Sequence, residues 1–303
     1  MLKASIDIGS NSTLLLIADV VDLKIIKTLE NEANVTSLGK DLDKNKLFIQ
    51  ESMDETFRVL NLYKNLIDKH MVSIENVFVS ATEASRVAHN SKEFYEKVKS
   101  EIGLNVQIIN SLGEAYYTAF GVFHTAETTQ NDVTIMDIGG ASTELISVKK
   151  NPFCIHNSLS LPVGSVRATD WIESGCLKSN LEKLDFKEIN KFKTKNLICV
   201  AGSMTSLGAM FKELEKYDDE SVNGAQIDFS SFESFVSKIS GLSGKEILKK
   251  YPFLGKRAKS IAGGALVSLE IAKKLDVSTL EVSTSGLRYG TILSGGIDGK
   301  YIN

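Results

Sequence analysis

A stretch of twelve residues occurs twice in this chain, and it constrains the fold more than any other feature. Residues 6–17 read IDIGSNSTLLLI, and residues 136–147 read MDIGGASTELIS. With an offset of 130 positions, the two copies agree at six places, which pair Asp7 with Asp137, Ile8 with Ile138, Gly9 with Gly139, Ser12 with Ser142, Thr13 with Thr143, and Leu15 with Leu145. This agreement predicts a chain built from two related α/β halves.

Each copy consists of an apolar run, an aspartate, a turn of glycine and small hydroxyl residues, and a second apolar run. The pattern predicts a β-hairpin with a tight glycine turn. Such a turn can direct several backbone N–H groups at a phosphate oxygen, and the aspartate can hold a hydrated cation or orient a water. One copy alone would favour an ordinary hairpin turn without a binding role. Two matching copies favour a phosphate-binding loop on each side of a cleft.

Composition and charge exclude several classes of protein. A length of 303 residues is sufficient for two domains with hydrophobic cores, and 43% hydrophobic and 24% charged residues are ordinary for a soluble globular protein. The net charge of −3 argues against a general nucleic-acid-binding surface. No apolar run reaches membrane-spanning length and the N-terminus leads directly into a strand, so we expect a cytoplasmic protein without a signal peptide or membrane association.

The cysteines and histidines show no metal-binding pattern. Cys154, Cys176 and Cys199 lack paired or metal-like spacing, which favours reduced cytoplasmic thiols. The four histidines have no ligand spacing either, so a zinc site is not expected.

Arginine is scarce in this chain. The 35 basic residues include only five arginines, which are Arg58, Arg86, Arg167, Arg257 and Arg288. Arginine makes planar bidentate contacts with oxyanions that lysine cannot make, so a lysine-rich chain is expected to keep it where such contacts matter. Arg58 is the exception, because it lies in an amphipathic helical stretch and is interpreted as a surface residue. The alternative is that five residues are too few to interpret.

Strands alternate with helices in both halves after an initial run of three strands, which is typical of an α/β fold. The third strand is predicted at 23–29, a loop at 31–46 and a helix at 47–69, where apolar residues recur at helical spacing. Ser111 is predicted to cap a helix at 112–124 that carries Glu114 in its first turn. Further helices are predicted at about 180–195 and from Arg257 to about 274.

Eight ordered motifs together resemble the Ppx/GppA family of exopolyphosphatases and guanosine pentaphosphate phosphohydrolases. The similarity covers nearly the whole chain. The motifs are IDIGSNS (6–12), ATEASRVAHN (81–90), GEAYYTAFGV (113–122), MDIGGASTEL (136–145), SLPVGSVRATD (160–170), AGSMTSL (201–207), RAKSIAGGAL (257–266) and VSTSGLRYGTI (282–292).

The resemblance implies two actin-like (ASKHA, ribonuclease H-like) domains with an interdomain cleft. We place the N-terminal domain at 1–122 and the C-terminal domain at 123–303, with the helix at about 286–303 as a segment that could pack back on the first domain. The resemblance also implies hydrolysis of a terminal phosphate with a divalent cation, usually Mg²⁺. Family members are commonly dimers, so a homodimer is one expected state.

The resemblance assigns roles to individual residues. It implies that Glu114 is the base that activates water, that Asp137 is catalytic and, with Asp7, metal-binding, and that Arg86 contacts phosphate. The residues expected to bind phosphate are Ser10, Asn11, Ser12, Arg86, Gly139, Gly140, Ala141, Ser142 and Arg257. Without the resemblance, Glu114 is better interpreted as a first-turn carboxylate that interacts with the helix dipole. For Arg86 the alternative is a surface ion pair, but its place after a strand and beside Asn90 favours a phosphate contact. Arg257 is the strongest candidate among Arg167, Arg257 and Arg288, which otherwise fix loops.

The chain departs from the family pattern in three places. Gly113 stands where the family often has an acidic residue before the catalytic glutamate. Ala141 replaces the third glycine of the second loop, and if that position needs a positive φ, alanine costs roughly 1 kcal/mol. The chain also resembles a short form, without the C-terminal helical domains that help long members hold long polyphosphate.

The expected function is removal of a terminal phosphate from inorganic polyphosphate, guanosine pentaphosphate or both, since both substrates end in a phosphoanhydride. One alternative is an ATP-dependent phosphotransferase on the same scaffold, for which Gly263 and Gly264 offer weak support. The other is a sensor of polyphosphate or of guanosine penta- or tetraphosphate that has lost turnover. The presence of Glu114, Asp137 and Arg86 counts against the sensor.

Overall fold

The computed structural model describes residues 1–125 and 131–303. The chain forms two compact units. The first comprises Met1–Thr125 together with Ser285–Asn303, and the second ends at Thr284 and is described from residue 131. Within the described ranges, no helix is long and apolar enough to cross a membrane.

Each unit contains one mixed sheet. The strands of the first unit are β1 (Leu2–Ile8), β2 (Ser12–Val21), β3 (Lys24–Val35), β4 (Val77–Ala81) and β5 (Val106–Ile108). Those of the second unit are β6 (Asp132–Ile138), β7 (Thr143–Lys149), β8 (Cys154–Leu161), β9 (Asn196–Val200), β10 (Ala225–Asp228) and β11 (Thr279–Val282). The sheet orders are β3-β2-β1-β4-β5 and β10-β11-β9-β6-β7-β8.

The two sheets repeat one arrangement. In the first sheet, β1, β2 and β3 pair antiparallel in that order, and β4 and β5 add in parallel on the other side of β1. In the second sheet, β6, β7 and β8 pair antiparallel in the same way, and β9 and β11 add in parallel on the other side of β6. Both predicted hairpins are present, since Ile8 pairs with Thr13 and Ile138 with Thr143. The second sheet adds β10 as an antiparallel edge. The predicted duplication of an α/β half is therefore confirmed.

Helices cover the sheets. The α-helices are α1 (Leu42–Asn45), α2 (Gln50–Lys69), α3 (Glu83–Val87), α4 (Ser91–Ile102), α5 (Ser111–Thr125), α6 (Ser165–Glu173), α7 (Leu177–Glu182), α8 (Ala201–Phe211), α9 (Asp219–Val222), α10 (Phe229–Ser240), α11 (Gly244–Lys250), α12 (Ile261–Leu275) and α13 (Leu287–Ser294). Short 3₁₀ segments lie at Ile74–Asn76, Ile189–Phe192, Pro252–Lys259 and Gly299–Tyr301.

Strand β2 of the first sheet is buried on both faces. Along β2, Leu15 and Ile17 join the core formed with α2 and α4, whereas Leu16 and Ala18 join a cluster with α13. Because successive side chains of a strand point to opposite faces, a strand covered on both sides needs an unbroken apolar run. The run TLLLIA in this strand meets that need.

The helices α5 and α13 pack with almost no side chain between their backbones. A Cβ atom at Gly290 would lie 1.8 Å from the Tyr117 carbonyl oxygen, and one at Gly121 would lie 2.4 Å from the carbonyl oxygen of Gly286. These two positions therefore exclude every other residue. The α13 helix also lies against β1 and β2, so residues 285–303 belong to the first unit. The residue at which the domains divide, 122 or 123, stays a prediction.

Three predicted elements differ from the structure. Residues 31–35, predicted as loop, continue β3, because they pair with β2 back to Ser12; polar residues are tolerated there because β3 is an edge strand. The helix predicted at 180–195 is instead α7, ending at Glu182, and a 3₁₀ segment. The helix predicted from Arg257 begins at Ile261, after the 3₁₀ segment Pro252–Lys259.

Ala201 carries local backbone strain at the junction of β9 and α8, where its φ is 71°. Non-glycine residues pay roughly 1 kcal/mol for this conformation, so Ala201→Gly should raise the free energy of unfolding by about that amount. Urea denaturation measures the change. The matched control is Ala209→Gly inside the same helix, which should lower it by about 1 kcal/mol. A destabilised Ala201→Gly protein would contradict this account.

Candidate active site

The turn of the first hairpin is closed by a hydrogen bond from the Gly9 amide to the Ser12 carbonyl at 2.9 Å. Its two middle carbonyls are held by the segment after β3. Ser10 accepts from the Gly39 amide at 2.7 Å, and Asn11 accepts from the amides of residues 36 and 37 at 3.0 and 2.9 Å. A Cβ atom at Gly39 would come within 3.0 Å of the Ser10 side chain, which explains a glycine there.

The second hairpin turn has the same design with different partners. The Gly139 amide donates to the Ser142 carbonyl at 3.0 Å. The Gly140 carbonyl accepts from the backbone amides of Val166 and Arg167 at 2.9 and 3.2 Å, and the Ala141 carbonyl accepts from the Arg167 guanidinium. The first turn of α6 therefore holds this loop. Arg167, a candidate ligand contact from the sequence, is a residue that fixes the loop.

The held carbonyls determine where the turn amides point. In a planar trans peptide, the carbonyl of one residue and the N–H of the next point in opposite directions. The N–H groups of Asn11 and Ser12 therefore point away from residues 36–39, and those of Ala141 and Ser142 point away from α6. Consecutive amides directed to one side form a concavity suited to an anion.

Gly164 lets α6 reach the second turn. A Cβ atom at this position would lie 2.6 Å from the Gly139 carbonyl oxygen and 2.6 Å from the carbonyl carbon of Gly140. Ala141, in contrast, lies outside the set of residues with positive φ. The condition under which alanine would cost about 1 kcal/mol is therefore not met, and the loop geometry accommodates Ala141 without that strain.

Arg86 and Glu114 form a buried ion pair within the first unit. Nη1 of Arg86, from α3, lies 2.9 Å from Oε2 of Glu114, from the first turn of α5, and also donates to the Ile109 carbonyl at 2.8 Å. The two side chains are only 14% and 11% exposed, so the surface ion pair considered for Arg86 is not what the structure shows. The roles of both residues towards substrate stay predictions.

Burial raises the pKa of Glu114, and this effect outweighs Arg86, whose charge and hydrogen bond lower the pKa; Glu83 raises the pKa further. A carboxylate removed from water binds a proton more readily than an exposed one. Glu114 is therefore a stronger base than an ordinary glutamate, which suits a group that accepts a proton from water.

Asn110, not Ser111, caps α5. The helix begins at Ser111, and Oδ1 of Asn110 accepts from the Gly113 amide at 2.9 Å, so the predicted cap is wrong by one residue. Packing explains why position 113 is a glycine, because a Cβ atom there would lie 2.6 Å from Cβ of Tyr301. This contact gives a physical cause for the departure from the family pattern at position 113.

Asp137 faces a second carboxylate across its hairpin. Glu144 of β7 is the residue opposite Asp137 of β6, and directly opposite Cβ atoms in antiparallel strands are about 4.5–5.5 Å apart. Glu144 is buried and accepts from the Ser160 hydroxyl at 3.0 Å. In the first hairpin, the residue opposite Asp7 is Leu14. The sequence signal for Glu144 was the one acidic difference between the two copies, where STEL replaces STLL.

The pair Asp137 and Glu144 fits a divalent cation. In residues 1–125 and 131–303, no group of three or more His, Cys, Asp or Glu side chains could hold a metal ion by itself. Mg²⁺ typically takes one or two protein carboxylates and completes its shell with waters and substrate phosphates. Two carboxylates on one face of a hairpin match that requirement, whereas Asp7 as a ligand stays a prediction.

The remaining arginines have defined surroundings. Arg257 donates to the Ser206 hydroxyl at 3.1 Å and covers Gly202, where a Cβ atom would lie 2.7 Å from its Nη2. It thus lies at the start of α8, and its predicted phosphate contact stays a prediction. Arg288 donates to the Glu32 carbonyl at 3.2 Å. Arg58 pairs with Glu55 and is 61% exposed, which confirms it as a surface residue.

The sequence profile of the Ppx/GppA phosphatase family matches residues 16–295. The chain belongs to the Ppx/GppA family. It is 31% identical over 97% of its length to a bifunctional 3-dehydroquinate synthase/phosphatase of Fusobacterium nucleatum subsp. nucleatum, and it spans only 46% of that protein. It is 25% identical to exopolyphosphatase 2 of Mycobacterium tuberculosis, covering 96% of this chain and 97% of the relative.

Solved structures agree with this membership. The crystal structure of the Aquifex aeolicus Ppx/GppA family member is 31% identical, covers 97% of both chains and has a TM-score of 0.79. An exopolyphosphatase from Cytophaga hutchinsonii has a TM-score of 0.83 at 24% identity, covering 98% of this chain and 99% of that one, and shows the same fold. The expected family and the two actin-like domains are therefore confirmed, and membership supports phosphoanhydride hydrolysis.

Replacing Arg86 should raise the pKa of Glu114. Arg86→Gln removes the charge that lowers this pKa and leaves the burial that raises it, so the carboxylate form should appear only at higher pH than in the wild type. Carboxyl-carbon NMR titration of Glu114 measures the shift. Arg58→Gln is the matched control, because Arg58 is an exposed arginine that pairs with Glu55, so the Glu114 titration should not move. A lowered Glu114 pKa in Arg86→Gln would contradict the assignment.

Proposed function

We propose that this protein hydrolyses the terminal phosphoanhydride of inorganic polyphosphate. The observation that carries the proposal is the buried Glu114 carboxylate, held by Arg86 at the first turn of α5 and given a raised pKa by its burial. A phosphoanhydride hydrolase needs one basic group for the attacking water and several donors for phosphoryl oxygens. The amides of the two hairpin turns are suitable donors.

In the proposed reaction, Glu114 accepts a proton from water while the water oxygen forms a bond to the terminal phosphorus. The bond between that phosphorus and the bridging oxygen breaks, so orthophosphate leaves and the chain is shorter by one unit. The turn amides near Ser10–Ser12 and Gly139–Ser142 and the Arg86 guanidinium are proposed to bind the phosphoryl oxygens. Arg257 is proposed to contact phosphate at the start of α8.

Asp137 and Glu144 are proposed to hold Mg²⁺ or another divalent cation, with Asp7 as a further candidate ligand. When bound, the cation would neutralise charge on phosphoryl oxygens. This chain's own contribution is to orient the two carboxylates, which β6 and β7 fix on one face of the hairpin and Ser160 fixes further through Glu144.

We put polyphosphate first among the proposed substrates because a relative that this chain matches over 97% of its length is named exopolyphosphatase 2. Guanosine pentaphosphate stays an alternative substrate, since its terminal bond is the same. A phosphotransferase and a non-hydrolysing sensor are the other classes. The raised pKa of Glu114 favours turnover over the sensor, because a sensor needs no base. A cytoplasmic homodimer is the proposed state of the protein.

Glu114→Gln should reduce phosphate release by at least about a hundredfold, because the amide keeps the shape of the side chain but accepts no proton from water. Orthophosphate release is measured with Mg²⁺ on short polyphosphate, long polyphosphate, guanosine pentaphosphate and ATP. The control is Glu55→Gln on α2, a carboxylate that pairs with Arg58, and this variant should retain full activity. Undiminished release by Glu114→Gln would reject the proposal. Release from ATP alone would favour the phosphotransferase.

Glu144→Gln should weaken the response to the cation more than the binding of substrate. Removal of one of two carboxylates lowers metal affinity, so the Mg²⁺ concentration for half-maximal rate should rise by about tenfold or more. A magnesium titration at saturating polyphosphate measures this concentration. Glu281→Gln, on β11 of the same unit, is the control. An unchanged Mg²⁺ requirement in Glu144→Gln would show that Glu144 is not a ligand.

A further inference from the structure

The first turn of α5 is tied to the segment Asp298–Asn303 through Asn110. The backbone amide of Asn110 donates to the Tyr301 carbonyl at 2.8 Å, and its side-chain amide donates to the Lys300 carbonyl at 3.2 Å. The same residue caps the helix through Gly113 at 2.9 Å and accepts the Glu114 amide at 3.0 Å on its own carbonyl. One side chain thus joins this segment to the turn that carries Glu114.

Tyr301 makes a second contact between this segment and the first turns of α5. Its Cβ atom occupies the space that only glycine leaves open at position 113, and the ring stacks on Tyr116 at 5.1 Å. The segment also lies alongside the end of β5, because Ile302 forms an antiparallel bridge with Ile109 and the Asn303 amide donates to the Ile108 carbonyl at 2.9 Å. Ile109 is the residue whose carbonyl holds Arg86. Both members of the ion pair are therefore anchored beside one segment.

We propose that the segment Asp298–Asn303 positions the catalytic base, acting through Asn110 and Tyr301. Tyr301 and Asn110 are positioning residues that fix the first turn of α5 and, through Ile109, the Arg86 guanidinium. The inference rests on the proposed function, since it treats Glu114 as the base. A base displaced by about 1 Å lowers the rate far more than the substrate affinity, because the hairpin-turn amides that are proposed to bind phosphoryl oxygens lie outside this segment.

Variants at these positions test the proposal on short polyphosphate with Mg²⁺. Tyr301→Gly should lower kcat by about tenfold or more and change KM by less than about threefold, and Tyr301→Phe, which keeps the ring, should restore kcat. Asn110→Ser keeps a capping oxygen but is too short to reach the Lys300 carbonyl, so it should lower kcat in the same way. Leu112→Ala, an exposed residue of the same helical turn, is the control that retains activity.

A double variant separates this contact from a general loss of stability. Gly113→Ala introduces the Cβ atom that collides with Tyr301, and it should lower kcat by itself. In Gly113→Ala/Tyr301→Gly the collision is absent, so kcat should be no lower than in Tyr301→Gly alone. Additive losses of kcat would show that positions 113 and 301 act independently, and this result would overturn the proposal. A kcat within about twofold of the wild type in both Tyr301→Gly and Asn110→Ser would also overturn it.

Amide hydrogen exchange tests whether the segment holds the first turn of α5, independently of any activity measurement. In the full chain, the amides of Asn110, Gly113 and Glu114 should exchange faster in Tyr301→Gly and Asn110→Ser than in the wild type and in Leu112→Ala. Activity retained by Glu114→Gln would reject the proposed function, and the exchange rates would still report whether the segment holds the turn. Unchanged exchange of these amides in Tyr301→Gly would overturn the inference in either case.

Discussion

The candidate site depends on the backbone carbonyl groups in the middle of the two hairpin turns, which accept hydrogen bonds from neighbouring segments. These hydrogen bonds fix the orientation of the peptide planes in each turn. The N–H group of each fixed peptide therefore points in the direction opposite to its carbonyl. The two halves achieve this differently: the first uses an irregular segment at residues 36–39, and the second uses the beginning of α6 and the Arg167 side chain. What the duplication has preserved is the direction of the peptide planes, whereas the supporting residues have diverged. A helix start used in this way supports the hairpin turn, because its first backbone amides donate to the carbonyls of the turn.

The Arg86–Glu114 pair shows a second principle, in which two opposing effects set the strength of a base. Removal from water makes Glu114 hold its proton, and the neighbouring guanidinium opposes this. Burial without Arg86 would leave the carboxyl protonated over a wider pH range, and Arg86 without burial would leave a weak base. The pKa of Glu114 therefore depends both on the packing of α5 and on the Ile109 carbonyl that keeps Arg86 in place.

The sequence predicts the parts of this fold that depend on local pattern. The repeated Asp-x-Gly stretch and the alternation of strands and helices are sufficient for both hairpins, the duplication and the α/β class, and the eight motifs for the family. Features that depend on a distant partner were not predictable. The contacts of Asn110 with residues 300 and 301, and of Gly164 with the carbonyls of the second turn, appear only in the fold. Glu144 had a signal in the acidic difference between the two copies, but its place opposite Asp137 comes from the strand register. The error at β3 has the same origin, since residues 31–35 have a polar sequence but pair with β2.

The return of residues 285–303 to the first unit has a consequence for biosynthesis. The α5 helix and the β1–β2 face that α13 covers leave the ribosome early, whereas α13 follows only after the second unit, roughly 160 residues later, has been made. At about 5–20 residues per second, that interval is roughly ten to thirty seconds. During this time the apolar residues Leu16, Ala18 and Val20 of β2, and Gly121 of α5, lack the partners that α13 supplies. The nascent first unit therefore exposes part of its apolar surface until α13 emerges.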